Sequence, residues 1–431
     1  MKNNTITTST GQEIYDLALE LWPINRSLTG EGVRRTLKII KKKIPSLKVH
    51  EIKSGTKVFD WTIPKEWKIT EAWIIDPNGK KICNFEKNNL HVLGYSHGID
   101  KKMSLSELNE HLYSLPNQPD AIPYMTSYYE KRWGFCISDN DRKKLKKGTY
   151  KVFINADLFD GSLTYGELLI PGKLKDEIFL STYVCHPSMA NNEISGPCVT
   201  TFLSKWLNNL IDKKYSYRII FIPETIGSIA YLSQNYKNMK KKTIAGFNIS
   251  CVGDERSYSF LPSRNGQSIS DKFARHILYW TDKNYISYNW SDRGSDERQY
   301  CAPGIDLPVS SIMRTKYHEY PEYHTSLDKL GKVVTSTGLY GGYEVIRKTI
   351  EAIEKNFYPK VKVLCEPHLS KRGLYPSIGS KNISKDIHIM MEFITWSDGS
   401  NSLIEIADKC NLPIWELYEV AQTLQKNNII E

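Results

Sequence analysis

The chain has 431 residues, 40% hydrophobic and 25% charged, an ordinary globular composition for two to three domains built on one sizeable core. Mean hydropathy is −0.44 and no apolar run reaches the roughly 18 residues of a membrane helix, which excludes a helical span. The polar start MKNNTITTST has no apolar leader segment, so a cytoplasmic protein is expected.

The balance of 58 Lys and Arg against 48 Asp and Glu gives +10 and raises the question of nucleic acid. The basic runs are short (Lys41-Lys42-Lys43, Lys143-Lys144, Lys146-Lys147 and Lys240-Lys241-Lys242) and sit in polar contexts. They read as solvated faces. The eight cysteines, Cys83, Cys136, Cys185, Cys198, Cys251, Cys301, Cys365 and Cys410, form no CxxC pair. Several lie in apolar runs and are expected as small buried hydrophobes, neither a disulfide framework nor a thiolate zinc site.

In chain order, residues 12–45 predict two helices. Ile14, Leu17, Ala18 and Leu21 repeat at helical spacing, and Pro23 stops the first. The loop Asn25-Arg26-Ser27-Leu28-Thr29-Gly30 follows, with an arginine able to reach a site, and Val33 to Ile40 resumes a helix. From about residue 50 short alternating segments around 57–63, 71–75 and 150–156 predict strands, giving a β-rich accessory domain at 51–173 inserted in a main fold of 1–50 and 174–375. Residues 177–184, 217–222, 245–252 and 307–313 are near-continuous apolar strands, with helices expected at 200–209 and 338–357. This pattern predicts a buried, mostly parallel sheet whose ligands sit beyond the strands' carboxyl ends. Apolar spacing around Ile389, Phe393, Leu403, Ile406, Leu417 and Leu424 predicts three short helices and a terminal strand in a third unit, 380–431.

Chemistry gathers at the strand ends. His186 follows the first strand, Glu224 the second, Asp254 the third, and His324 and Asp328 come after the fourth. Imidazole with carboxylate and no thiolate is a ligand set suited to Zn²⁺ in a hydrolytic site. Arg298 and Arg314 are the candidate substrate-binding groups, since a guanidinium clamps carboxylates or phosphates bidentately.

These residues also carry a resemblance. Cys185-His186-Pro187-Ser188-Met189-Ala190-Asn191, Asn192-Glu193-Ile194-Ser195-Gly196, Pro223-Glu224-Thr225 and Tyr323-His324-Thr325-Ser326-Leu327-Asp328 follow the order of the zinc aminopeptidase and glutaminyl cyclase superfamily. With Asn25-Arg26-Ser27-Leu28-Thr29-Gly30 the whole chain resembles the bacterial aminopeptidase-like proteins that have an inserted β domain and a C-terminal winged helix. The resemblance implies an α/β zinc-exopeptidase-like core and metal ligands at His186, Asn192, Glu224 and His324. It also exposes departures. Asn192 stands where a bridging Asp is expected, Pro223 where the general base is expected, and Ser250 where a further metal Asp is expected. One zinc ion is therefore expected and a second disfavoured. Asp254 is a candidate to reach the site, and the base falls to Glu193 or to Asp296 within Asp296-Glu297.

The expected activity is metal-dependent, aminopeptidase-like hydrolysis of peptide or amide bonds in a small amino-acid-like substrate. The alternative is a catalytically silent binding or assembly protein on the same fold. Winged helices often bind DNA, but residues 385–431 hold three Lys against eight Asp and Glu, a net of −5. Phosphate contact needs cations, which argues against nucleic acid. Packing on the catalytic domain or on a second copy is expected instead, with Trp415, Tyr418 and an exposed edge at Ile429-Ile430 as the means.

Overall fold

The two N-terminal helices form as the apolar spacing requires, over Asn4–Leu21 and Glu31–Lys43. Ile14, Leu17, Leu21, Val33, Leu37 and Ile40 are buried. Two of the lysine runs close helices, Lys41 to Lys43 here and Lys240 to Lys242 at the end of Ile226–Lys242. There they complement the helix dipole. The computed structural model describes residues 4–374 and 385–431.

An eight-stranded sheet carries the first unit. Its strands are β1 (Lys48–Lys53), β2 (Ser162–Ile170), β3 (Glu177–Tyr183), β4 (Ser216–Ile222), β5 (Thr243–Asn248), β6 (Ser259–Leu261), β7 (Ile286–Ser287) and β8 (Val309–Met313). Their order is β1-β2-β4-β3-β5-β8-β6-β7. The centre β4-β3-β5-β8 is parallel, as expected of strands buried along nearly their whole length. Antiparallel pairing of β1 with β2, β2 with β4 and β6 with β8 makes the whole sheet mixed. Every residue of β3 is buried.

The inserted β sheet is smaller than the sequence suggests. Four strands, Glu66–Ile75, Lys81–Ile82, Ile99–Ser104 and Thr149–Phe159, pair on their own. Residues 162–170, expected inside the insertion, instead join the main sheet, because β2 bonds to β1 on one side and β4 on the other. The 57–63 segment yields only a two-residue ladder.

The second unit comprises residues 271–283 and 345–431, with the expected helices at Lys385–Trp396, Leu403–Lys409 and Leu417–Lys426. The expected boundary near 380 lies outside the described residues. Ile429 and Ile430 do not form a free edge: both are buried, and the chain end pairs with residues 360–362. Trp415 and Tyr418 are covered by Lys348 and Lys355, whose ammonium groups lie 5.0 and 4.3 Å from the ring centres. No described helix is long and apolar enough to cross a membrane.

Candidate metal centre

The parallel centre of the sheet sends its carboxyl ends to one place. Past the end of β3, His186 turns inward. Past β4, Glu224 sits at the start of a turn whose next residue, Thr225, has φ 62°, a strained left-handed conformation for a β-branched residue. Asp296 holds that turn: its Oδ1 accepts from the Thr225 amide at 2.7 Å and from Ser228 Oγ at 2.8 Å. Glu224 is fixed through Oε1, which accepts from Ser295 Oγ at 2.6 Å. Its Oε2 lies 3.5 Å from His186 Nε2. His324 also has a left-handed backbone, φ 55°, with its ring stacked on Tyr323 at 3.9 Å and 5.8 Å from that of His186.

The Ala190–Ile194 π turn carries Asn191, Asn192 and Glu193. Asp328 anchors it by accepting from the Asn191 and Asn192 amides at 2.8 and 3.0 Å. Gly196 then brings the Ser195–Asn209 helix against the sheet, where a Cβ would meet Thr182 Oγ1 at 2.5 Å and the Ile249 carbonyl at 2.6 Å.

His186, Glu224 and His324 line a cavity of about 440 Å³ together with Leu28, Trp61, Met125, Tyr124, Tyr128 and Tyr129. The sequence reading did not place the aromatic wall there. Tyr124 and Tyr128 belong to the long segment between two strands of the inserted sheet, and their hydroxyls are 2.6 Å apart. The Tyr124 ring meets His186 at 5.4 Å and His324 at 5.1 Å, while its amide donates to the His324 carbonyl at 2.8 Å. Burial keeps both tyrosines protonated by pushing their pKa values well up.

The expected site residues divide into two groups. His186, Glu224 and His324 converge. Arg298 is exposed and does not line the cavity, but its Nη2 donates to Oγ1 of Thr225, which does, at 3.0 Å. Asn192 is buried beside them: Nδ2 donates to the Tyr183 hydroxyl at 3.0 Å, and Tyr183 packs on His186 at 5.1 Å. The others face away from the cavity. Glu193 is fully buried, with Oε2 accepting from both the amide and Nδ1 of His186 at 3.0 Å and Oε1 3.0 Å from Arg26 Nε. It holds a histidine and has no open path to a substrate water. Asp296 uses Oδ1 on the Thr225 turn while its buried Oδ2 has no hydrogen-bond partner among the described residues, and burial with nearby Glu224 lifts its pKa to about 8. Arg314 is interior, donating to the Asp254 carbonyl at 2.7 Å and stacked 3.8 Å over Tyr258. Asp254 itself is surrounded by Asn191, Arg256 and Thr315 donors.

The donor chemistry fits a divalent metal. Glu193 beside the Arg26 guanidinium can only accept, so His186 Nδ1 carries the hydrogen and Nε2 is left for a ligand. Burial, with His186 and His318 nearby, pushes the His324 pKa to about 2, leaving a neutral ring with a free lone pair. Asn192 Oδ1 is a buried acceptor with no hydrogen-bond partner among the described residues. Two imidazoles, one carboxylate and an orphaned amide oxygen make a three- or four-ligand set of the zinc type. Cys185 does not join it as a thiolate, since burial pushes its pKa to about 11.

Fold and site together define the class: an aminopeptidase-like α/β protein with a C-terminal winged helix. The family described as "Domain of unknown function (DUF4910)" matches residues 15–356, and a winged helix-turn-helix family matches 356–431. The chain belongs to that first family. A Clostridium acetobutylicum protein provisionally named a polysaccharide biosynthesis protein with aminopeptidase-like domain is 44% identical over 430 residues, covering 99% of this chain and 97% of the relative. A crystal structure from the same species, provisionally named a peptidase, superposes with a TM-score of 0.92 at 42% identity over 99% of this chain and 97% of that one. A zinc aminopeptidase of Bacillus subtilis shares the fold at 13% identity, with a TM-score of 0.58 over 80% of this chain and 94% of that one.

Proposed function

We propose that the protein is a cytoplasmic, zinc-dependent, aminopeptidase-like hydrolase that cleaves an amide bond in a small amino-acid-like substrate. The reading rests on one observation: His186 Nε2, Glu224 Oε2 and the neutral His324 ring converge on the floor of an aromatic-walled cavity. His186, Glu224 and His324 would hold one zinc ion, with Asn192 Oδ1 as a fourth donor. A zinc ion in such a site polarises a carbonyl oxygen and acidifies a water. The Tyr124 and Tyr128 hydroxyls bring two protons to one mutual hydrogen bond, so one O–H remains to donate to the substrate carbonyl oxygen as charge develops there. Arg298, anchored through Nε and Nη2, presents its remaining edge to a substrate carboxylate. The name of the Clostridium relative directs the substrate search toward amides on polysaccharide building blocks.

A second reading, a silent binding protein, is favoured by a separate observation. Glu224 is the one carboxylate among the described residues lining the cavity, so a carboxylate that holds metal leaves no second one to act as base. Elemental analysis and hydrolysis assays on leucine p-nitroanilide and N-acetylated amino sugars separate the readings. The expected result is about one zinc per chain, lost in Glu224→Gln, and amide hydrolysis abolished by chelator and restored by zinc. A protein that takes up zinc without hydrolysing any amide supports the silent reading, and one that takes up no zinc refutes the metal site.

A further inference from the structure

The loop Asn25 to Gly30 has no place in the proposed reaction, yet it sends one of the largest fully buried side chains, Arg26, to the back of the site. Arg26 is 1% exposed, and its charge faces Glu193, which is fully buried. The Arg26 Nε–H is directed at the His186 carbonyl, 3.0 Å away, and Nη1 donates to the Leu21 carbonyl at 2.9 Å. Arg26 Nη2 and Glu193 Oε1 have no hydrogen-bond partner, so each buried charge depends on the other. Glu193 spends Oε2 on the two donors of His186, its amide and Nδ1. One arginine therefore touches His186 twice: directly at the carbonyl, and through Glu193 at the ring.

We infer that Arg26 and Glu193 are a positioning pair that locks His186 in its Nδ1–H tautomer and aims Nε2 into the cavity, so that the N-terminal loop sets the affinity of the site for metal. The inference rests on the metal reading for its last clause only; the tautomer stands without it. An ionised carboxylate accepts and never donates, so the ring nitrogen facing it must carry the hydrogen. A buried carboxylate stays ionised only with a cation beside it, and Arg26 is the cation. Partners behind a metal histidine fix its orientation and tautomer, and their loss typically weakens metal binding about 10- to 100-fold. In Glu193→Gln the single amide oxygen cannot serve Arg26 and both His186 donors. The amide NH₂ must oppose either the guanidinium or the His186 N–H.

The test uses the full-length chain with ¹⁵N-labelled histidine, in wild type, Glu193→Gln and Arg26→Gln. The Arg26 variant removes the cation and keeps an N–H donor for the His186 carbonyl, so it covers the case in which the Glu193 variant fails to fold. In the metal-free wild type, at a pH high enough for the ring to be neutral, His186 is expected to show the Nδ1–H tautomer. Both variants are expected to mix or reverse it while the spectra of the other histidines stay in place. Zinc affinity by competition with a chromogenic chelator is expected to fall about 10- to 100-fold. Unchanged His186 nitrogen shifts in a folded variant, or zinc affinity within twofold of wild type, overturns the pair's role. Wild type that holds the tautomer but binds no zinc refutes the metal reading and leaves the tautomer lock standing.

Discussion

The two units handle charge in opposite ways. In the first, Arg26, Glu193, Asp254, Asp296 and Asp328 are all buried around the strand ends, each held by several donors or by an opposite charge. In the second, the core is Phe393, Leu403, Ile406, Leu417, Leu424 and Ile430, while Lys272–Glu405, Arg347–Glu351 and Lys385–Glu416 lie toward the surface. Buried charge is costly, and replacing such pairs by apolar groups is often neutral or stabilising. A chain that keeps these five ionisable groups and others, Glu297 among them, dry in the first unit, against Asp271 and His276 among the described residues of the second, concentrates its buried charge in the unit that carries the candidate site.

The comparison breaks most readily at Arg26. Arg26→Met leaves Glu193 buried without a counter-charge, which costs about 3–5 kcal/mol. The expected outcome is a large drop in the denaturant midpoint of the first unit. A loss below about 1 kcal/mol, the range of exposed ion pairs, would mean that the two regions treat charge alike.

A close backbone approach gives the intermediate effect. Gly196→Ala places a methyl against Thr182 Oγ1 and the Ile249 carbonyl, and overpacking of this kind costs about 1–3 kcal/mol. It also presses on the π turn that carries Asn192 and Glu193, so the loss of stability is expected to come with weakened zinc binding. Chemical denaturation and metal titration on one preparation check both. A stable variant with unaltered zinc affinity would show that the helix start has room to move and does not brace the site.

What was legible in the sequence follows from how the groups are placed. His186, Glu224 and His324 lie in loops after apolar strands or beyond the last of them, where a buried parallel sheet must put its ligands, so their convergence is readable. The separate helices of the second unit were readable because their apolar spacing is regular. The fate of Glu193 was not, because a carboxylate next to a metal-type motif reads as a base until Arg26, far away in the chain, is seen beside it. Tyr124 was hidden for a related reason: the segment holding it reads as accessory, and its tie to His324 is a backbone bond that no side-chain pattern announces. Arg314 looked available because the sequence does not show that Tyr258 lies 3.8 Å beneath it. Residues 162–170 fall within the expected bounds of the insertion because the sequence does not show which sheet that stretch pairs with.

The smallest effect belongs to the second unit and to pH. Ser402 and Glu405 form a capping box at the start of Leu403–Lys409: Glu405 Oε2 accepts from the Ser402 amide at 2.7 Å, and Oε1 accepts from Lys272 Nζ at 2.7 Å. Partial burial works against the ionised form, but Lys272 and Ser402 outweigh it and hold the Glu405 pKa at about 2. A folded-state pKa below the unfolded one stabilises the fold above the unfolded value, near 4.5, and that contribution disappears as pH falls toward 2. Solvent reaches this carboxylate, so the ion pair is screened and the cap carries most of the effect, about 1 kcal/mol. Glu405→Gln is expected to lower the melting temperature slightly at neutral pH and to converge with wild type near pH 2. Melts between pH 2 and 7 read this directly. A variant penalty that persists unchanged at pH 2 would show that the carboxylate's charge contributes nothing and that the side chain serves this helix by packing alone.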